Sequence, residues 1–293
     1  MTPSPAVSSL CLRLQVLSDL HLETERFEPE PAAGADALIL AGDIDSTWAG
    51  YERFAGWPVP VYAVAGNHEF DGREWLAAWP GLRAMGERLG IHWLEQQEAV
   101  LRTASGHRVR LLGCTRWSDY DSFGEAARGK AERASRHFLG LMRASVAGRP
   151  MDPSAVRALG QANRRWLERA LRPAHAAEGV AADAPDATVV VTHFAPSLRC
   201  ADPRYGEQPT TASFCNADDD LLPLADLWLH GHLHSRHDLR LAPVTEGRAQ
   251  PQGSGTRVVC RARGLGKKGE QVGYEALPAL VELTLAARCR TSA

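Results

Sequence analysis

The sequence predicts an α/β layered fold. Apolar runs of strand length alternate with helix-like stretches, several runs are apolar at every position as strands buried on both faces are, and Asp, His and Asn stand directly after those runs. A chain of 293 residues buries about three quarters of its unfolded surface, so it needs no disulfide framework. Its 44% hydrophobic and 23% charged content is that of an ordinary globular protein, and excludes a disordered chain, a collagen, a coiled coil and a small disulfide scaffold.

Residues 1–10, rich in Pro and Ser, read as a flexible leader, and 11–293 as a single domain. Leu12 to Leu17 alternates like a strand, Ala37 to Ala41 is continuously apolar, and Val59 to Ala65 is a third run; a polar loop and a short segment around Ser46 to Phe54 lie between them. A helix is expected over Glu74 to Leu89, interrupted or bent near Pro80 and Gly81. Strands follow at Trp93, Ala99 to Thr103 and Val109 to Cys114. Ala127, Ala131, Ala134, Phe138 and Met142 fall at helical spacing. A second helix begins with Asp152 as cap and Pro153 at its first position, and Val156, Leu159, Trp166 and Leu171 share one face. This helical stretch, about 117–180, reads as an insertion between two halves of one sheet-based domain, or else as part of the ordinary helical layers. A linker over Ala174 to Asp186 ends it, and strands return at Thr188 to Thr192, Ala225 to Leu229, Leu239 to Leu241, Arg257 to Cys260 and Leu280 to Leu285.

Charge and cysteine usage narrow the partners. Thirty-three basic against 35 acidic side chains leave no positive field for nucleic acid or an anionic membrane. No apolar run approaches the roughly 20 residues of a transmembrane helix. The start carries no basic segment followed by an apolar one, so no signal peptide is read. The six cysteines lie far apart without a Cys-x-x-Cys pair and read as free thiols. A cytoplasmic location is expected.

The chemistry concentrates at strand exits. Asp19-Leu20-His21 follows the first strand, Gly42-Asp43 the second, Gly66-Asn67-His68-Glu69 the third, His193 the run ending at Thr192, and Gly231-His232-Leu233-His234 the run ending near His230. In an open α/β sheet the carboxyl ends of neighbouring strands line one crevice where ligands bind. Carboxylate, imidazole and carboxamide suit Mn²⁺, Fe, Zn²⁺, Co²⁺ or Ni²⁺ better than the all-oxygen cage of Ca²⁺. Asp19 and His21, two apart in extended backbone, point to one side and can hold one ion, and His232 and His234 repeat that spacing after a glycine that permits a turn. Each piece alone reads equally well as a turn or a helix cap; the five in order read as a metal site.

This ordered set resembles the calcineurin-like metallophosphoesterase superfamily. The resemblance implies a four-layer α/β/β/α sandwich with its site at the carboxyl ends of the strands, and a centre of two divalent metal ions. Asp19, His21, Asp43 and His234 would hold one ion and Asp43, Asn67, His193 and His232 the other, with Asp43 bridging and His68 as the catalytic histidine. The implied reaction is hydrolysis of a phosphoric ester, with a hydroxide shared by the two ions attacking phosphorus in line and His68 protonating the leaving oxygen or stabilising the developing charge.

Two departures bear on substrate. The second motif reads Gly42-Asp43-Ile44-Asp45, without the Asp-Arg-Gly of the protein serine/threonine phosphatase branch, and His68-Glu69 stands where the branch acting on UDP-sugar lipids has Arg-Asp. The chain resembles instead a broad bacterial group of phosphoesterases for which the motif implies no substrate. Asp45 either orients His68 or caps a helix. Arg199 and Arg204, after His193, either fork onto a phosphate or lie in a solvated loop, and Arg116 has the same standing. His230, next to the ligand turn, is read as supporting the ligands. The expected activity is a phosphodiesterase on a small nucleotide-like substrate. The alternatives are a phosphomonoesterase or protein phosphatase and a metal-binding scaffold without catalysis; the charge balance speaks against a nuclease.

Overall fold

Strict alternation of inward and outward apolar residues builds this molecule from two sheets laid face to face. The computed structural model describes residues 11–103, 105–172, 184–243, 255–276 and 279–285. The expected leader 1–10, most of the Ala174–Asp186 linker, and Cys289 lie outside the described residues. In chain order the elements are β1 (Cys11–Leu17), β2 (Ala37–Ala41), β3 (Val61–Val64), α1 (Trp75–Leu89), β4 (Ile91–Trp93), β5 (Gln97–Arg102), β6 (Arg108–Cys114), α2 (Glu125–Met142), β7 (Ser145–Val146), β8 (Arg149–Pro150), α3 (Pro153–Leu171), β9 (Ala187–Thr192), β10 (Leu227–His230), β11 (His237–Leu241), β12 (Thr256–Cys260) and β13 (Val281–Thr284).

The first sheet has the order β13-β1-β2-β3-β4 and the second β11-β12-β10-β9-β6-β5, with β7 and β8 forming a separate small hairpin. The strands that end at the predicted site residues are parallel: β1 with β2, β2 with β3, and β9 with β10. Leu12, Leu14, Val16, Ala37, Ile39 and Ala41 of the first sheet meet Val109, Leu111, Val189, Val191, Leu227, Leu229 and Val259 of the second in one buried layer. Leu38 and Leu40, pointing the other way, join α1 residues Ala78, Leu82 and Met85 in a second layer. Trp228, Val190 and Val258 do the same with Leu167 and Leu171 of α3. These layers are the expected α/β/β/α sandwich.

Three local details differ from the sequence reading. Helix α1 continues through Pro80 without interruption. Pro80 lies early in the helix and lacks a single N–H, and the start is held by the Glu74 carboxylate, which accepts from Ala77 N at 2.7 Å. In α2 the buried stripe is Ala131, Ser135, Leu139 and Met142, and Phe138 is 46% exposed. Ser135 tolerates burial because its hydroxyl donates to Glu132 O at 2.9 Å. In α3, capped by Asp152 and opened by Pro153 as expected, the buried stripe also includes Asn163, which accepts from Trp117 N and donates to Glu95. Both helices lie in the connection between β6 and β9, which are neighbours in the second sheet.

Ile39 sits at the middle of the inter-sheet layer with no exposed surface. Ile39→Ala is expected to cost about 3 kcal/mol of unfolding free energy in urea. A loss below about 1 kcal/mol is the contrary result, since a packed layer cannot yield so cheaply.

Candidate metal centre

Backbone hydrogen bonds between strand exits draw the predicted residues together. Asp19 N donates to Gly42 O at 3.0 Å, His21 N to Asp43 O at 3.2 Å and Gly231 N to His193 O at 3.1 Å. Side chains complete the knot: His232 N donates to Asp19 Oδ1 at 3.0 Å and His68 N to Asp43 Oδ1 at 2.8 Å. Five left-handed non-glycine residues stand here. Asp19, His21, Asp43, His232 and His234 have φ of 53°, 48°, 53°, 69° and 51°, a left-handed conformation that costs a non-glycine residue about 1–3 kcal/mol.

Two groups of side chains result. Asp19, His21 and His234 each bring a ligand atom to within 4.8 Å of the others, and so do Asp43, His193 and His232. His21 Nε2 and His234 Nε2 face each other at 3.1 Å, and Asp43 Oδ2 lies 3.2 Å from His193 Nε2. Asn67 Oδ1 joins the second group, 3.3 Å from His193 Nε2. His68 stands at the open side, its ring 5.2 Å from that of His21 and its side chain 35% exposed. His232 Nε2 is buried with no hydrogen-bond partner among the described residues.

Four of the imidazoles are oriented from behind. His193 Nδ1 donates to Ala41 O at 2.8 Å, which turns Nε2 toward the site. His21 Nδ1 meets Glu23 at 3.2 Å, His234 Nδ1 meets Glu270 at 2.6 Å, and His68 Nδ1 meets Asp71 at 2.8 Å. The loops are tied by Glu69, which has no exposed surface. Its Oε2 accepts from Asp43 N and Gly66 N, and its Oε1 from Ile44 N and Tyr51 Oη. Four donors occupy both oxygens, so the side chain serves as an ionised acceptor.

The site is short of positive charge. Burial alone would raise the Asp43 carboxyl, but His193 and His68 outweigh it and hold the group well below the usual carboxylate range. For Asp19 burial is likewise outweighed, by its hydrogen bond to His234 and that ring's charge. Against their own burial, His68 is pushed up to about 10 by Asp43 and Asp71, His193 to about 9 by Asp43, and His234 to about 10 by Asp19 and Glu270. His232 alone is driven well below the usual range, by burial and the neighbouring His193.

A strand-exit cluster of this kind matches one family. Residues 12–236 match the model of the calcineurin-like phosphoesterases. The chain belongs to this family. No curated protein is similar to it by sequence. Among solved structures, this phosphoesterase is similar to a 5′-nucleotidase precursor from Thermus thermophilus, with 15% identity and TM-score 0.39 over 85% of this chain and 48% of that one. It is also similar to the calcineurin-like phosphoesterase YfkN from Bacillus subtilis (12%, TM-score 0.41, 86% of this chain and 81% of that one) and to a dimetal phosphatase from Danio rerio (12%, TM-score 0.35, 85% and 86%). The chain thus spans about half the length of the first of these and more than four fifths of the other two.

The family is one of phosphoric-ester hydrolases with a dinuclear divalent metal centre. The donors present in this phosphoesterase fit such a centre: two adjacent groups of oxygen and nitrogen atoms, a partnerless buried Nε2 on His232, and carboxylates that call up protons on three histidines in place of cations.

Asp19, His21, Asp43, Asn67, His68, His193, His232 and His234 all converge. The local reading of their spacing needs correction. Asp19 and His21 share a group through left-handed backbone rather than an extended strand, and His232 and His234 separate into different groups. The demand at Gly231 is for room, because a Cβ there would stand 2.6 Å from Asp19 Oδ2, and His232 carries the unusual φ itself. Asp45 caps a turn, accepting from Thr47 N and Gly50 N, while Asp71 takes the place beside His68. Arg199 pairs with Asp219 and Arg204 with Asp202. Arg116 is 1% exposed and grips Asp218 and Asp119, which makes it part of the interior rather than a phosphate contact. Behind the ligand turn, His230 faces His237 at 3.0 Å. Glu23, Asp71 and Glu270 were not singled out from sequence. Acids two and three positions after His21 and His68 were a local signal; Glu270 had none.

Glu69→Gln puts an amide N–H₂ where only acceptors serve. A loss of about 3 kcal/mol in urea unfolding is expected, with lower metal content by elemental analysis. Unchanged stability and metal content would mean that the carboxylate does not tie the loops.

Proposed function

We propose that this chain is a dinuclear metal-dependent phosphodiesterase acting on a small nucleotide-like substrate. The reading is carried by one observation, the two adjacent Asp/His groups beside a half-exposed His68. Asp19, His21, Asp43 and His234 hold one divalent ion and Asp43, Asn67, His193 and His232 the other. Bound there, the two ions supply Lewis acidity toward phosphoryl oxygens and a water made acidic enough to act as nucleophile near neutral pH. Asp43 Oδ2 is turned to His193 and its Oδ1 accepts from His68 N; in this reading Asp43 would bridge the two ions. His68 keeps Nδ1 on Asp71, so Nε2 is free to deliver a proton to the leaving oxygen. Against the pull of burial, the Asp43 and Asp71 carboxylates raise the proton affinity of that imidazole.

The state of the loop arginines supports a diester. A phosphomonoester dianion calls for added positive charge, and the guanidinium groups of Arg199 and Arg204 already hold carboxylates. Free thiols at Cys11, Cys114, Cys200, Cys215 and Cys260 suit the cytoplasm. No helix among the described residues is long and apolar enough to cross a membrane.

After loading with Mn²⁺, about two ions per chain and faster turnover of bis(p-nitrophenyl) phosphate than of p-nitrophenyl phosphate are expected. The reverse preference makes the protein a monoesterase, and fewer than about one ion per chain leaves only a scaffold. Asp43→Asn is expected to abolish turnover and lower metal content. His68→Ala is expected to lower kcat about 10²- to 10⁴-fold with metal content retained; full activity in that variant removes His68 from the reaction.

A further inference from the structure

Behind the Gly231–His234 turn lies a cluster that the hydrolytic site does not use. Cys200, His230 and His237 each offer a ligand atom within 4.8 Å of the others. Cys200 and His230 are buried, and His237 is half-buried at the start of the edge strand β11. The topology explains why they meet. Side chains two apart on a strand share a face, so His230 follows Trp228, and Cys260 follows Val258, onto the side of the second sheet that α3 covers. Cys260 is the registered partner of both His230 and His237, which sets the three in one row across β10, β12 and β11. Cys200 reaches the row from the turn after Ser197.

The two histidines repeat the arrangement of His21 and His234. His230 Nδ1 donates to Gly231 O at 2.9 Å, so its Nε2 keeps a lone pair, and that atom faces His237 Nε2 at 3.0 Å. In the pair within the phosphoesterase centre the same atoms face each other at 3.1 Å, also with Nδ1 engaged. Two nitrogens bound to one tetrahedral ion at 2.0–2.1 Å stand about 3.3 Å apart, close to either spacing. What differs is the third donor: sulfur here, carboxylate there.

We propose that Cys200, His230 and His237 form a separate metal site for a borderline-soft divalent ion such as Zn²⁺, tying the Ser197–Cys200 turn to the strand that delivers His232 and His234. Binding exchanges the Cys200 thiol proton for the ion and releases that proton to solvent. Cys260, the registered partner of both histidines, lies outside this group, so the three donors would leave the fourth position of a tetrahedral ion to water.

The test uses the full chain, stripped with a chelator and titrated with Co²⁺. Thiolate-to-cobalt charge-transfer absorption in the near ultraviolet is expected. It should vanish in Cys200→Ser and weaken in His237→Ala, with far-ultraviolet circular dichroism unchanged. Zinc content should fall by one ion per chain in Cys200→Ser and by a fraction of that in His237→Ala. The Asp/His/Asn groups contain no sulfur, so Asp43→Asn should leave the band in place whatever its effect on hydrolysis. Absence of the band in the wild-type chain, its survival in Cys200→Ser, or an unaltered band in His237→Ala overturns the proposal. If Cys200→Ser fails to fold, His237→Ala, altered at a half-buried edge position, decides alone.

Discussion

Glu69 is the constraint on which the centre depends. Its two carboxylate oxygens, sealed from solvent, accept from the amides of Asp43, Ile44 and Gly66 and from the hydroxyl of Tyr51. Those amides belong to the loops after β2 and β3, so one side chain clamps the exits that supply Asp43, Asn67 and His68. Amides left without it would be buried and unpaired, which costs about 1–3 kcal/mol each. The clamp also lets Asp43 adopt its left-handed backbone, a conformation that persists only where surroundings over-determine it.

The ring of imidazoles shows how a buried site meets its charge. Five carboxylates, from Asp19, Glu23, Asp43, Asp71 and Glu270, contact the histidines, and burial alone would raise each of them. Protons on His68, His193 and His234 answer part of that demand. Replacing those protons by divalent ions is the ordinary competition between protonation and metal binding, so the chemistry of the donors and the electrostatics lead to the same centre.

How much could be read beforehand depended on locality. Strands whose two faces are both buried are continuously apolar, so β2, β3 and β9 announced themselves, and so did the polar residues directly after them. The helical faces were harder, because Ser135 and Asn163 occupy buried positions that only their hydrogen bonds justify. The division of His232 and His234 between two groups depends on a left-handed turn and was not visible in their spacing. Glu270 reaches His234 from a loop 36 residues away, and Cys200 meets His237 only through the register of β10, β12 and β11. Contacts of that kind are properties of the assembled sheets, not of any window of sequence.

One hydrogen bond has a consequence for how the protein matures. The amide of His232 donates to the carboxylate of Asp19, 213 positions earlier in the chain. No early-folding half of the polypeptide therefore owns a complete cage for an ion. The first sheet supplies Asp19, His21, Asp43 and Asn67 from the exits of β1, β2 and β3, and the remaining donors come from the exits of β9 and β10 in the second. Under the proposed reading, a complete ion cage would therefore require both sheets to be closed against each other.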